Sequence, residues 1–537
     1  MADDLLVQEI YELVQTFNKH YQDLFIRMDE DFKLWTLNEY KLDEFSDNVT
    51  FNEPRVFADA VMQIIETAKM NIVIKRRDGN EELESKIERF LIACFEEINE
   101  KLLGRGMPAL NSFSTWTACI RGMVAARFLY RNNRPEALPY DPRWLAYEMD
   151  STGPCWSGYQ TWRTPYALMQ EYDKKFKALE GKKKHETIKV TDFWGKARNM
   201  VLVGDSLENV EPASEGRHSL GKPPVVIIPI GSAPLITTTE DNYTYVKHWV
   251  ESIYAGGRPI YENLSKILSI WMSVARKSRE PSGFITTPDG QMKIEYSPYG
   301  RSQWTTLPEG SQVQPLEPPD IANSIPQLFE ILSQAAQRSD FVWARYSLLT
   351  GSRDISNVLF ENMKATADRV LVPILRGLER FYKQASRLLI EQYIATGGPI
   401  EVEGIDYRNN EFREEVSPEE IDGDYSIDIK FVSVTPEEEA ANIARAQMLK
   451  SSELAPDSFI RRDVIKFADP VGVEDAKRVE DAEKLSPTIR LKRVAASLGK
   501  QGRADEAQDI INELNKLQAM EQQALQQPMS PQPPQGA

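Results

Sequence analysis

The chain has only three cysteines in 537 residues, Cys94, Cys119 and Cys155, and no Cys-x-x-Cys pair. That spacing supports neither a disulfide framework nor a zinc knuckle, and reduced, buried thiols are expected. Histidine is nearly as scarce. His20, His185, His218 and His248 are scattered and no His-Glu-x-x-His helix occurs, so no metal site is expected. Long apolar runs are missing too. Val225 to Ile230 is the longest candidate, far short of the roughly 20 residues that span a bilayer. The opening Met-Ala-Asp-Asp is acidic where a secretion signal would be basic. A soluble chain without membrane partners is the expectation. Positive charge is in deficit, with 64 Lys and Arg against 81 Asp and Glu, a net charge of −17. This argues against a broad basic face that coats nucleic acid, but not against a conduit that nucleic acid slides past.

Catalytic signatures are absent as well. There is no Gly-x-Ser-x-Gly elbow and no dinucleotide fingerprint. Gly216-Arg-His-Ser-Leu-Gly221-Lys222 has the spacing of a phosphate-binding loop. The next residue should be a magnesium-holding Ser or Thr that opens a helix; here it is Pro223, with a strand following. A hairpin loop is the plainer reading. Asp422-Gly-Asp424 lacks the other ligands of a calcium loop, and Asp43-Glu44 reads as a solvated face. The expectation is a non-enzyme with no catalytic residues, no metal and no cofactor. The clusters Lys75-Arg-Arg77, Lys182-Lys-Lys184 and Arg276-Lys-x-Arg279 read first as solvated ends and loops. The last of them also offsets a helix dipole.

What is present is a folded composition, 41% hydrophobic and 27% charged, on a chain too long for one core. The class expected is α+β, mainly helical. Residues 1–255 form an N-terminal region. Leu5, Ile10, Leu13, Val14 and Phe17 give it helical spacing, a helix covers Glu53 to Lys69, and Asn71 to Lys75 alternates like a strand. Helices are expected over Glu81 to Leu103 and Phe113 to Phe128, and Tyr130 to Tyr172 has no simple pattern. Residues 186–236 carry β-type runs divided by Gly, Asn and Pro, a small antiparallel sheet or barrel.

The centre is the informative part. Within 256–280, Ile260, Leu264, Ile267, Trp271 and Val274 step by four, three, four and three, a narrow stripe that packs on another helix. Residues 281–319 are rich in Pro and Gly. Residues 320–338 return to helix at Ser324, with Gln327 as its capping-box partner and a stripe of Ile325, Leu328, Phe329, Leu332 and Ala335. The sequence loosens over 339–357 around Gly351. A long helix then runs from Ser356 to Ala395, about 60 Å at 1.5 Å per residue, with Pro373 as a kink. Within 358–435 strands follow, notably Tyr425 to Phe431. Residues 436–520 are helical after the acidic cap at Thr435-Pro-Glu-Glu-Glu, and 521–537 is a Gln- and Pro-rich disordered tail.

This order resembles the portal proteins of tailed bacteriophages. It is carried by Tyr346-Ser-Leu-Leu-Thr-Gly-Ser-Arg-Asp-Ile-Ser-Asn357, by Val370-Leu-Val-Pro-Ile-Leu-Arg-Gly-Leu-Glu-Arg380, by Val434-Thr-Pro-Glu-Glu-Glu-Ala-Ala-Asn, and by Ser458-Phe-Ile-Arg-Arg-Asp-Val-Ile-Lys-Phe-Ala-Asp-Pro470. It extends over Asp192 to Lys484. The resemblance implies a dodecameric ring at a capsid vertex, assembled in the bacterial host cytoplasm, with double-stranded DNA packed and ejected through its channel. It implies a wing, paired stem helices (256–280 and 320–338), a small α/β clip (281–319), a tunnel loop (339–357) and a helical crown (436–520). Stem packing falls to Leu264, Ile267, Trp271, Leu328 and Leu332. Clip docking to the terminase packaging motor and tail adaptors falls to Tyr296, Tyr299, Arg301 and Trp304. The tunnel loop brings Arg345, Gly351, Arg353 and Asp354 toward DNA, although ordinary salt bridging accounts for Arg345 and Arg353 equally well. Capsid and scaffolding proteins are the remaining partners. Another head-tail connector or internal virion protein is the alternative; a nucleotide-driven DNA motor is the less favoured one.

Overall fold

The computed structural model describes residues 6–41, 47–77, 80–151, 153–183, 185–231, 246–279, 283–286, 312–315, 324–339, 357–405, 411–432 and 436–452, and scattered positions beyond. The chain divides into two units, Met1–Ser433 and Val434–Ala537. It is a mixed helix and sheet protein, and no helix among the described residues is long and apolar enough to cross a membrane.

The first unit opens with helices Val7–His20, Gln22–Trp35 and Glu53–Glu66, then β1 (Lys69–Arg76) and helix Glu81–Gly104. Asn80 starts the last of these, its side chain accepting from the Leu83 N–H at 3.2 Å. The expected helix over Phe113 to Phe128 is a correction. Helix Leu110–Trp116 passes into one π-helical turn, Thr117–Arg121, and stops at Gly122, whose φ is +74°. A Cβ at Gly122 would stand 2.7 Å from the Glu251 backbone, so glycine is required both by conformation and by space. The chain leaves it as β2 (Met123–Arg131), the central strand of a three-stranded sheet.

β3 (Arg134–Tyr140) pairs back on β2 through Asn132 and Asn133, both with positive φ (53° and 59°), the geometry of a tight two-residue hairpin. Pro135 and Pro139 are tolerated because β3 is an edge strand. β4 (Leu145–Asp150), β5 (Gly153–Arg163), β6 (Ile188–Trp194), β7 (Arg198–Val203) and β8 (Glu211–Arg217) form a five-stranded antiparallel sheet in sequence order. β9 (Val225–Pro229) leaves it to complete the β3-β2-β9 sheet. The β-rich stretch from residue 186 is therefore shared between two sheets. The Gly216–Lys222 segment is the crossover between them rather than a hairpin, because β8 pairs with β7 and β9 with β2.

Helix Arg258–Arg279 follows, then β10 (Gly283–Thr286), paired with β11 (Gln312–Pro315), and helix Ser324–Ser339. The 40-residue helix Asn357–Thr396 continues through Pro373, whose position is solvent-exposed. β12 (Ile400–Ile405) and β13 (Glu411–Val416) make an acidic hairpin. β14 (Tyr425–Val432) then returns to β1, pairing Lys69 with Val432 and Arg76 with Tyr425. The long helix organises the main core. Leu371, Ile374, Leu378, Phe381, Ala385, Leu388, Leu389 and Tyr393 recur on one face and are buried with Phe128 of β2, Phe90 and Phe95 of helix Glu81–Gly104, and Ile427 and Ile429 of β14.

In the second unit, helix Pro436–Ser451 is followed by a short turn of helix, Asp457–Phe459. Ala446, Ile460 and Val464 make its described core, and Lys450 pairs with Asp457 at 3.3 Å.

Candidate functional site

The strongest candidate surface is built on the two helices that flank the Pro/Gly-rich excursion. They pack on each other, with Leu264 fully buried and Ile325 and Ala336 nearly so. The Trp271 and Phe329 rings stand 6.4 Å apart, and Phe51 meets Phe329 edge-on at 6.3 Å. Each helix nevertheless leaves large apolar side chains exposed. Trp271 is 39% exposed, Met272 53%, Leu328 48% and Ile331 63%. The five residues expected to pack thus divide: Leu264 is buried, Ile267 and Leu332 half-buried, and Trp271 and Leu328 exposed.

Another face of helix Arg258–Arg279 is held by serines. Ser265, Ser269 and Ser273 fall at every fourth position, a rise of about 6 Å on a helix. The extended segment beside them advances about 6.6–6.8 Å per two residues. The two repeats match. Ser265 Oγ accepts from the Phe51 N–H at 3.2 Å, Ser269 Oγ from Val49 at 2.9 Å and Ser273 Oγ from Asp47 at 3.0 Å. Ser269 and Ser273 in turn donate to the Ser265 and Ser269 carbonyls at 2.8 Å. Arg276 closes the ladder on Asp47 at 2.9 Å, which gives that cation a local role besides the helix dipole. Ser269→Ala strands the Val49 N–H and is expected to cost about 1–2 kcal/mol. Amide hydrogen exchange at residues 47–51 checks this, with faster exchange there than in β2.

The first residue of that helix is fixed by a charge network that sequence reading missed. Arg258 donates to both oxygens of fully buried Asp31, at 2.6 and 3.0 Å, and to Glu251 at 3.1 Å. Arg27, also fully buried, donates to Glu251 at 2.8 Å and to the Val250 carbonyl. A second group adjoins it: Arg121 holds Asp141 through Nε and a terminal nitrogen at 2.9 and 2.8 Å and donates to the Met28 carbonyl at 2.8 Å. Arg143 reaches Asp29 at 2.9 Å. Burial drives the Arg27 pKa down despite Asp31 and Glu251. Burial opposes the Glu251 charge too, but the hydrogen bond with His248 and the charges of Arg27 and Arg258 hold that carboxyl below its ordinary value. Four guanidiniums facing four carboxylates is a balanced set. It clamps the start of helix Arg258–Arg279 to helix Gln22–Trp35.

The remaining sequence candidates are placed as follows. Tyr296, Tyr299, Arg301, Trp304, Arg345, Gly351, Arg353 and Asp354 lie outside the described residues. Lys222 of the loop-like motif pairs with Glu391 at 2.6 Å. Arg77 pairs with Asp424 at 2.8 Å and Lys182 with Asp205 at 2.5 Å, so these basic residues have local partners. Cys94 and Cys119 are buried, and burial pushes both thiols up; Cys155 is partly exposed. Among the described residues no three His, Cys, Asp or Glu side chains converge on a metal-sized site.

No family model matches the chain, and no curated relative does. Among the solved structures that overlap it loosely are two of gene transfer agent particles. One, titled the virion of a native gene transfer agent particle, is 12% identical, with 77% of this chain and 89% of that chain covered and a TM-score of 0.39. The other, titled the neck of an empty gene transfer agent particle computed with C6 symmetry, is 13% identical, with 75% and 88% covered and a TM-score of 0.35. An overlap this loose carries no argument about fold or function.

Proposed function

We propose that this chain is a structural subunit of a closed ring, of the portal type, at a phage-like capsid vertex. The observation that supports it most is the set of large apolar side chains left exposed on the paired helices. Trp271, Met272, Leu328 and Ile331 are all held in water on two helices that pack on each other, which a partner surface would cover. Covering side chains this exposed stabilises by roughly 1 kcal/mol each, and a closed ring repeats that gain at every interface. The serine ladder and the Arg258 clamp suit the same purpose, since a wall helix must keep its angle when copies press on both sides.

In this reading helices Arg258–Arg279 and Ser324–Ser339 are the stem and the stretch between them is the clip, docking the packaging motor and tail adaptors through Tyr296, Tyr299, Arg301 and Trp304. Arg345, Gly351, Arg353 and Asp354 form the tunnel loop facing double-stranded DNA, and residues 436–520 the crown. The role is structural rather than catalytic, in a dodecamer that meets capsid and scaffolding proteins. The acidic balance suits a conduit, because DNA held by many phosphate contacts does not slide.

The test is a pair of charge substitutions on the exposed face. Trp271→Glu with Ile331→Glu is expected to leave the circular dichroism spectrum unchanged and to reduce the oligomer fraction in sedimentation at least tenfold. An unchanged oligomer fraction would place the interface elsewhere. A collapsed spectrum would show that the face is core.

A further inference from the structure

One cleft in the first unit has nothing to do with the paired helices. It has a volume of about 580 Å³ and lies where the two sheets and the end of the long helix meet. Its walls are Leu129 to Arg131 at the end of β2, Trp194 of β6, Asn199 of β7, Arg217 to Leu220 after β8, and Gln392 and Thr396 of the long helix. Gly216–Lys222, whose spacing imitates a phosphate-binding loop, therefore supplies one wall, though without the helix that such a loop would open.

The charge of this cleft is at odds with the chain. The protein carries −17, yet among the described residues no carboxylate lines the cleft, and two guanidiniums do. Other cations nearby are neutralised: Arg127 by Asp192, Arg198 by Glu215 at 2.8 Å, Lys222 by Glu391 at 2.6 Å. Arg131 and Arg217 have no ion-pair partner among the described residues. Arg131 stands 5.9 Å from the Trp194 ring centre, and the His218 ring is 5.3 Å from the same ring. The Gln392 amide in its lining is already satisfied. Gln392 bridges the β2 backbone beyond the start of β9, accepting from the Tyr130 N–H at 2.9 Å and donating to the Phe128 carbonyl at 3.0 Å. It blocks a peptide strand from adding to β2 there.

We propose that this cleft binds a small polyphosphate, its oxyanions shared between Arg131 and Arg217. The volume falls within the range of about 300–1,000 Å³ usual for small-ligand sites. Phosphate fits better than carboxylate for a geometric reason. One planar carboxylate is satisfied by one guanidinium fork, whereas a phosphate presents several oxygens and can bridge two arginines brought in by different sheets. Ser219 and Asn199 add hydroxyl and amide donors on the same walls. A base-stacking site is not on offer, because Trp194 is 2% exposed.

The experiment is calorimetric titration of the full chain with inorganic pyrophosphate at fixed ionic strength. Saturable binding near one per chain is expected, weakened at least tenfold in Arg131→Met and again in Arg217→Met. Both side chains are exposed, so folding is checked by thermal melting, where pyrophosphate is expected to raise Tm in the parent and not in the variants. No saturable binding, binding unchanged in both variants, or capture of a hexaglutamate peptide in place of pyrophosphate would each overturn the proposal.

Discussion

Asp31→Ala is expected to destabilise the first unit by about 3–5 kcal/mol, the range for removing one partner of a buried ion pair. Asp31 is fully buried and receives two hydrogen bonds from Arg258, and fully buried Arg27 lies a turn away on the same helix. The alanine takes away an attraction that Glu251 cannot replace for both guanidiniums, so a positive charge stays buried and under-paired. The size of the effect comes from that stranded charge and not from the strength of the pair. Asp31→Asn keeps the volume and one acceptor and should lose less. Urea unfolding measures both. A loss under about 1 kcal/mol for the alanine would show that Arg27 and Arg258 already reach water.

Phe381→Ala is expected to cost a similar about 3–5 kcal/mol, by a different cause. Phe381 is fully buried at the middle of the long helix, its ring 5.7 Å from Phe128 of β2 and 5.3 Å from Tyr382. The surrounding wall is drawn from β2, the long helix and helix Glu81–Gly104, which cannot all move inward, so a cavity remains. Phe381→Leu should cost less than half as much. Equal losses in the two variants would mean that the site collapses freely around whichever side chain is left.

The helices were the legible part of this sequence. The stripe through Ile260, Leu264, Ile267 and Trp271 reads as a helix because its period is local, and the long helix follows from the same rule over forty residues. β2 was misread because Met123 to Tyr130 is buried on both faces except at half-buried Arg127, and a nearly unbroken apolar run has no period to separate strand from helix. β3 was hidden by two prolines that only its edge position permits. The charge clamp was invisible because the Arg27–Asp31 pair and the Glu251–Arg258 pair are separated by more than two hundred residues of chain. The serine ladder could have been found: Ser265, Ser269 and Ser273 keep a strict spacing of four beside the apolar stripe.

The assembled state of the unaltered protein bears most directly on the proposed ring. Electron-microscopy class averages of the full chain, purified at several concentrations, are expected to show closed rings with a central channel. A monomer at every concentration, with no ring in capsid-derived material either, would contradict it.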